Sequence, residues 1–314
     1  MTILISGGAG FIGPNLIGRL IQAGHEVAVA DNLSRGRREN LGAEVHLIVV
    51  DLARADSIEI VAQALHGRRV SEIWHLAANS DIPAGVEHPG VDLRDTFLST
   101  FHLLELSRRL GVRQFRFASS SAVYGDCGGQ QIAETLGPLL PISNYGAMKL
   151  ASEAQISAAA ESFVERASIF RFPNVVGTPA THGVLLDFVR KLRRDPSHLK
   201  VLGDGTQQKA YLHVTDLVDA MLFASVRQTP RRDVLNIGPV DDGVTVRWIA
   251  EQVCARIAPG AKIVYGTGNK GWVGDVPQFR YCTDKLHGLG WQPRLDSESA
   301  VLRAIDEIAV QEGF

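Results

Sequence analysis

The stretch Ile5-Ser6-Gly7-Gly8-Ala9-Gly10-Phe11-Ile12-Gly13 decides the fold. The apolar run Thr2–Ser6 reads as a strand and leads directly into glycines spaced GxxGxxG. Beyond them, Leu16–Ala23 carries apolar residues at helical spacing and stops at Gly24. A strand that feeds a helix through glycines brings backbone N–H groups and the positive end of the helix to one place. That arrangement suits a pyrophosphate. Glycine is expected because a Cβ would block the approach, and Pro14 is tolerated in the first turn of a helix. A tight strand-to-helix turn with no ligand is the alternative for a glycine triplet taken alone.

The next element out favours the ligand. Glu26–Ala30 reads as a second strand and ends at Asp31. An acid at that place binds both hydroxyls of a ribose and repels a 2′-phosphate, which predicts NAD in preference to NADP. Val45–Val50, Glu72–Leu76 and Gln114–Ser119 read as three further strands, and Leu98–Leu110 and Tyr145–Phe163 as amphipathic helices. This alternation predicts an α/β fold, a Rossmann doubly wound parallel sheet. After Arg171 the rhythm weakens, although Val184–Arg194, Val214–Ser225 and Val246–Ile257 still read as helices. A smaller α/β substrate-binding lobe is expected there. The expected division is residues 1–172 plus about 212–240 for the dinucleotide lobe, and about 173–211 plus 241–314 for the other. No repeat of fixed period is present.

Composition narrows the class. The chain has 314 residues, 45% of them hydrophobic, enough to bury a large core. A net charge of −2 argues against nucleic acid or anionic lipid as a partner. Arg35, Arg37 and Arg38 form no long basic run and read as a solvated loop. Cys127, Cys254 and Cys282 are far apart, with neither metal-ligand spacing nor a disulfide framework, as expected in a reducing cytosol. No metal site is expected. The first apolar run is too short for a signal peptide or a membrane span, and no other run approaches spanning length, so a cytoplasmic protein is expected.

The chemistry is read from two segments. Tyr145-Gly146-Ala147-Met148-Lys149 is Tyr-x-x-x-Lys on a predicted helix, which puts both side chains on one face. A free tyrosine, with a pKa near ~10, is a poor base at neutral pH. A lysine ammonium and an oxidised nicotinamide both stabilise the phenolate and lower that value. Upstream, Phe117-Ala118-Ser119-Ser120-Ser121-Ala122-Val123-Tyr124-Gly125 lies at the end of a predicted strand, where ligands of open α/β sheets sit. A serine there can hydrogen-bond a reacting hydroxyl, or simply cap the next turn.

With these pieces in view, the chain resembles the extended short-chain dehydrogenase/reductase family of NAD-dependent epimerases and dehydratases over essentially its whole length. The matching segments are Gly7–Gly13, Asp31–Ser34, Asp51-Leu52, His75–Ala78, Ser119–Gly125, Tyr145–Lys149, Arg171–Gly177, Gly203–Gly205 and Leu289–Pro293. Within the family it looks like the enzymes that invert C4 of UDP-galactose and UDP-glucose. The resemblance implies that Gly7, Gly10, Phe11, Ile12 and Gly13 hold the pyrophosphate and that Asp31, Asn32 and Ser34 meet the adenosine ribose. It implies that Asp51 and Leu52 flank the adenine, that Leu76, Ala77 and Ala78 line the nicotinamide side, and that Ser119 also meets the cofactor. Tyr145 would be the base, Lys149 its activator and Ser120 the serine partner. Asn174, Val184, Lys209, Tyr211 and Trp272 would meet a nucleotide-sugar substrate.

Departures from the family pattern sharpen the expectation. Family dehydratases carry Asp-Glu where this chain has Ser121 and Ala122, so the acid and base for loss of water are missing. Thr96 stands where an asparagine is usual. Lys209 and Trp272 stand where two arginines usually clamp the substrate diphosphate. Lysine binds phosphate as a point charge rather than through a two-pronged fork, and tryptophan carries no charge, though Lys270 is close by in sequence. His182-Gly183-Val184 and the run Gly271–Val276 are shared with a subset of epimerase-like sequences.

The expected reaction is therefore a nucleotide-sugar 4-epimerisation through transient oxidation at C4. The alternatives are epimerisation of another nucleotide sugar (a heptose or uronic acid, or another nucleotide), and net NAD-dependent oxidation or reduction of a sugar nucleotide. A regulator that binds the dinucleotide without chemistry is a further class, and the Tyr145/Lys149 pair argues against it. The resemblance also implies a homodimer built on helices 98–110 and 145–163.

Overall fold

A computed structural model describes all residues except 228–229, 272–275 and 277–279. In chain order the elements begin β1 (Thr2–Ser6), α1 (Ile12–Gln22), β2 (Glu26–Asp31), β3 (His46–Val49), α2 (Ser57–Ala64), β4 (Val70–His75), α3 (Ile82–Glu87) and α4 (Gly90–Asp92). A π-helical turn, Leu93–Leu98, leads on to α5 (Ser99–Leu110). Then follow β5 (Gln114–Ala118), β6 (Gln131–Ile132), α6 (Asn144–Ser162), β7 (Arg166–Arg171), β8 (Asn174–Val176), α7 (Val184–Arg194), β9 (His198–Val201), β10 (Gln208–Lys209) and β11 (Tyr211–His213). The chain ends with α8 (Val214–Arg227), β12 (Arg232–Asn236), β13 (Val244–Thr245), α9 (Val246–Ile257), β14 (Lys262–Tyr265), β15 (Arg280–Tyr281), α10 (Asp284–Gly288) and α11 (Ser297–Gln311).

Two compact units share these elements. The first comprises Met1–Val123, Ser143–Arg171 and Met221–Leu235. Its centre is a seven-stranded sheet in the order β12-β7-β5-β4-β1-β2-β3. The pairs β1–β2, β2–β3, β1–β4, β4–β5 and β5–β7 are parallel. This is the expected doubly wound α/β sheet, and its winding reverses between β1 and β4, the switch point where such sheets bind ligands. All five residues of β1 are buried, as a central parallel strand covered on both faces requires. Leu4, Ala28, Ile73, Phe115 and Ile169 form the middle of the core from five adjacent strands.

Local signals fix the helices of this unit. Ser143 caps α6 by accepting from Gly146 N at 3.1 Å. Gly111, at φ 68°, closes α5 in the left-handed conformation, with Arg108 and Arg109 in the last turn. The π-helical turn before α5 leaves no mark in the sequence. Its widened turn contains Thr96, whose carbonyl accepts from Thr100 Oγ1 at 2.8 Å and Ser99 Oγ at 3.1 Å.

The second unit comprises Tyr124–Ile142, Phe172–Ala220 and Asn236–Phe314. Its core is made by α7, α9 and α11, with Leu185, Phe188, Val189, Ile249, Val253, Val301 and Ile305 among the buried contacts. Thr245 caps α9 and Asp296 caps α11. Its strands are short and pair in twos: β8 with β11, β9 with β14 and β6 with β15 in parallel, β10 with β13 antiparallel. Elements of two to four residues are too short to show a period of two, which is why the sequence rhythm fades after Arg171. Among the described residues, no helix is long and apolar enough to cross a membrane.

Candidate active site

The glycine turn joins β1 to α1 as expected, and the structure gives each glycine its reason. Gly7 has φ +67°, and a Cβ there would lie 2.7 Å from Ala77 Cα and N. A Cβ on Gly13 would overlap Gly8 O. Both glycines therefore serve close approach of the protein's own backbone, between β1, the segment after β4 and the start of α1. A Cβ on Gly10 would meet only Gly7 O, at 3.3 Å, which leaves the outer face of the turn open for a ligand. Phe11, at the N-cap of α1, offers no side-chain cap, so the first N–H groups of α1 have no capping acceptor from it.

Asp31 ends β2 as predicted and is 7% exposed. Its Oδ2 accepts from Ala9 N at 2.9 Å and its Oδ1 from Leu33 N at 2.8 Å. An ionised carboxylate has about four acceptor positions, so two remain for ribose hydroxyls. Leu33, at φ 57°, is the one non-glycine residue with positive φ among those described. Asn32 Oδ1 accepts from Ser34 N and Ser34 Oγ, at 3.0 and 2.7 Å, which folds the loop back on itself. Ala9 O accepts from Arg37 N at 3.0 Å and Asn40 Nδ2 at 2.9 Å, so the loop after β2 is tied to the glycine turn. Asp51 accepts from Ala53 N at 3.0 Å, and Leu52 O accepts from His102 Nδ1 at 2.8 Å. A backbone cradle beside an uncapped helix start, with an acid at the end of the second strand, fits a dinucleotide.

The segment after β4 is held by a buried polar chain. Ser6 Oγ lies 2.7 Å from His75 Nδ1, and His75 Nε2 lies 2.9 Å from Thr100 Oγ1. Ser152 Oγ lies 2.9 Å from Thr100 Oγ1, and Ala77 N donates to Ser6 Oγ at 3.3 Å. Leu76 N donates to Ser6 O at 3.1 Å. Burial, and then the charge of Lys149, hold His75 well below the ordinary histidine range, so it is neutral. The chain thus links β1, β4, α5 and α6 beneath Leu76–Ala78.

Tyr145 and Lys149 share one face of α6, and Ser120, just past β5, acts on the Tyr145 phenol. Lys149 Nζ donates to Ala118 O at 2.6 Å and sits 4.6 Å from the Phe117 ring centroid and 5.8 Å from that of Tyr145. Burial pushes the Lys149 ammonium down to about 7, while Glu153 and Asp92 pull it upward. Burial pushes the Tyr145 phenol up to about 12; Ser120 acts against that shift and Asp92 with it. Ionising Tyr145 near neutral pH therefore requires added positive charge at the site.

Ser119, expected to meet the cofactor, donates its hydroxyl to Glu153 Oε1 at 2.5 Å. Glu153 also receives Arg171 Nε at 3.0 Å and Nη2 at 2.6 Å, in a pair whose side chains are both 6% exposed. Asp92, fully buried, accepts from Asn79 Nδ2 at 2.9 Å. Sequence reasoning singled out none of Glu153, Asn79 and Asp92. A signal existed for Glu153, which continues the Tyr145/Lys149 stripe by one more turn.

Of the residues expected to meet the substrate, Ser120 lies in the first unit, and Asn174, Val184, Lys209 and Tyr211 lie in the second. The parallel pairing of β8 and β11 sets Asn174 opposite Tyr211, across 37 positions of chain. Asn174 is exposed; Tyr211 is buried, and its N–H donates to Ser297 Oγ at 3.0 Å. Lys209 ends β10 opposite Val244. Val184 is the first residue of α7 and is half-buried. Trp272 lies outside the described residues.

Comparison with known proteins agrees with this geometry. The chain is 31% identical to the UDP-glucose 4-epimerase of Azospirillum brasilense, over 96% of this chain and 90% of that protein. A crystal structure of a UDP-galactose 4-epimerase superposes with a TM-score of 0.88 at 37% identity, covering 100% of both chains. The Thermus thermophilus UDP-glucose 4-epimerase in complex with NAD gives 0.87 at 30% identity, over 98% of this chain and 99% of that one. Residues 3–238 match the family described as NAD dependent epimerase/dehydratase. With the doubly wound sheet, the glycine turn and Asp31 already in place, this chain is an NAD-dependent enzyme belonging to the epimerase/dehydratase family.

Proposed function

We propose that the enzyme is a nucleotide-sugar 4-epimerase of the UDP-glucose/UDP-galactose type. The observation that carries the reading is the meeting of Ser120, Tyr145 and Lys149 at the carboxyl end of β5, with Ser121 and Ala122 next to Ser120 in place of dehydratase acids. Gly7, Gly10, Phe11, Ile12, Gly13, Asp31, Asn32 and Ser34 would hold NAD, with Asp51, Leu52, Leu76, Ala77, Ala78 and Ser119 around its two rings. Bound NAD would supply a hydride acceptor and, for the return to the alcohol, the hydride donor at the sugar carbon, and its oxidised ring would add positive charge beside Tyr145.

The chain's own residues do the rest. Tyr145 takes the proton from the sugar 4-hydroxyl, and Ser120 hydrogen-bonds the same oxygen and steadies the transfer. Lys149 stabilises the phenolate. After the ketone has turned its other face, Tyr145 returns the proton and the inverted alcohol leaves. Asn174, Val184, Lys209, Tyr211 and Trp272 are proposed to anchor the nucleotide, supplying binding energy remote from C4. Net redox change is zero, so NAD stays bound as a prosthetic group. The same reading carries a cytoplasmic homodimer built on α5 and α6.

Tyr145→Phe tests this. Turnover of UDP-galactose should fall ~10²–10⁴-fold while the bound NAD content stays at the wild-type level. Full turnover by the variant would remove Tyr145 as the base. Many turnovers without consumption of cofactor are expected; one cofactor consumed per sugar would instead identify a net oxidoreductase.

A further inference from the structure

The seven-stranded sheet opens at the peptide that joins Ala118 to Ser119. On one side β5 pairs with β7 as far as Ala118 opposite Phe170. On the other side β4 accompanies it only as far as His75 opposite Phe117. The N–H of this peptide, which belongs to Ser119, donates to Phe170 O of β7 at 2.8 Å. Its carbonyl, that of Ala118, points the opposite way, as in any trans peptide, toward the side where the β4 ladder has ended. A buried carbonyl needs a donor. Lys149 Nζ supplies it at 2.6 Å, in place of the next strand N–H.

The side chain of Ser119 is a third hold on the same peptide. Ser119 is 1% exposed, and its hydroxyl donates to Glu153 Oε1 at 2.5 Å. Glu153 lies one turn after Lys149 on α6, so one helix face grips two successive residues past the body of β5. Arg171 holds the Glu153 carboxylate through both oxygens, at 3.0 and 2.6 Å. It directly follows Phe170, which takes the Ser119 N–H. β5, α6 and β7 are thus tied together at one point. A serine hydroxyl has a single proton, and here it is committed to Glu153. Any contact of Ser119 with a cofactor is made without it. The neighbours of Ser119 face the chemistry on either side: Ala118 O holds Lys149, and Ser120 acts on the Tyr145 phenol.

We propose that Ser119 is a positioning residue for the reaction: its hydroxyl, tied to Glu153, fixes the Ala118–Ser119 peptide so that the Ala118 carbonyl holds Lys149 beside Tyr145. The inference rests on reading Tyr145 and Lys149 as the reacting pair. Without the hydroxyl the peptide keeps its bond to β7 but can rock about it, and Lys149 loses a fixed acceptor. A hydrogen bond to a carbonyl favours the charged ammonium, so a loosened one lowers the pH at which Lys149 gives up its proton.

The test compares NAD-bound wild type, Ser119→Ala and Ser119→Thr, labelled with ¹³C at lysine Cε. The Lys149 signal is assigned by its loss in Lys149→Arg. Ser119→Ala removes one atom and leaves both Arg171 bonds to Glu153 in place, so the fold should stand; circular dichroism and the bound NAD content check this. The other titratable groups around Lys149, which are Tyr145, neutral His75, Glu153 and Asp92, are the same in all three proteins. In Ser119→Ala the Lys149 midpoint should fall by about half a pH unit or more. Its kcat on UDP-galactose should fall about tenfold or more, with KM within about twofold. Ser119→Thr keeps the hydroxyl and should restore both. A wild-type midpoint in Ser119→Ala overturns the proposal. So does a kcat loss matched by an equal loss of bound NAD, which would make Ser119 a cofactor contact. An equal fall in a folded Ser119→Thr would place the effect in side-chain packing and overturn it too. A shifted midpoint in a protein whose wild type turns over no nucleotide sugar would sink the proposed function and leave this inference standing. An unshifted midpoint in an active enzyme would do the reverse.

Discussion

Glu153→Gln is the substitution with the most to lose for its size. The wild-type carboxylate takes two donors from Arg171, at 3.0 and 2.6 Å, and one from Ser119. Both partners of the ion pair are 6% exposed, so water cannot replace what is removed. Glutamine keeps the shape but not the charge. One of its two terminal atoms becomes a donor facing a guanidinium that also only donates. Arg171, a buried cation, then loses the charge of Glu153. Removing one partner of a buried ion pair costs about 3–5 kcal/mol, far above the ~0–1 kcal/mol expected of an exposed pair such as Arg54–Asp56. The melting temperature should fall by roughly 10 °C. Urea unfolding of wild type and variant, both stripped of nucleotide so that ligand binding does not mask the loss, measures the difference directly. The double variant Glu153→Leu with Arg171→Met removes both charges and should recover most of the stability. A loss under ~1 kcal/mol in the single variant would refute the reading of this pair as a buried ion pair that water cannot replace.

Two further predictions follow from the same unit. Gly13→Ala places a methyl onto Gly8 O, so α1 must shift; a loss of about 1–3 kcal/mol or more in urea unfolding, together with weaker NAD retention, is expected, and an unaltered protein would show that the turn has slack. Lys149 titrates near 7 in the folded chain against an ordinary 10.5, so the unfolded chain binds the extra proton between those values. Stability of the nucleotide-free protein should therefore climb from pH 7 toward 10.5, then turn as Tyr145, with its folded value raised to about 12, begins to oppose it above pH 10. Lys149→Met should flatten the climb, and an identical slope in the variant would contradict the burial of that ammonium.

The parts of this molecule that were legible in the chain are those written locally. The strand, glycines and helix of residues 2–22 are contiguous, and Tyr145 and Lys149 lie one turn apart on a single helix, so spacing alone brings them together. The role of the glycines was only half visible. Their spacing pointed to a ligand, whereas Gly7 and Gly13 are required first by Ala77 and Gly8. The supports of the site were not legible, because they are made by contacts across long stretches of chain. Ser6 meets His75 across 69 positions and Thr100 meets Ser152 across 52. Asp92 reads as an ordinary acid near the start of a helix; only the packing of α3 and α4 on α6 reveals that it is buried. The second unit was faint for a different reason, since strands such as Gln208–Lys209 and Val244–Thr245 carry too few residues for a pattern.

The central claim is inversion at C4 by a cofactor that never leaves. The most direct measurement incubates the purified protein with UDP-galactose and no added nucleotide cofactor, following the anomeric signals by NMR. The account predicts that UDP-glucose appears over many turnovers until the two sugars reach equilibrium. UDP-galactose left unchanged by protein that carries its full complement of NAD would contradict it.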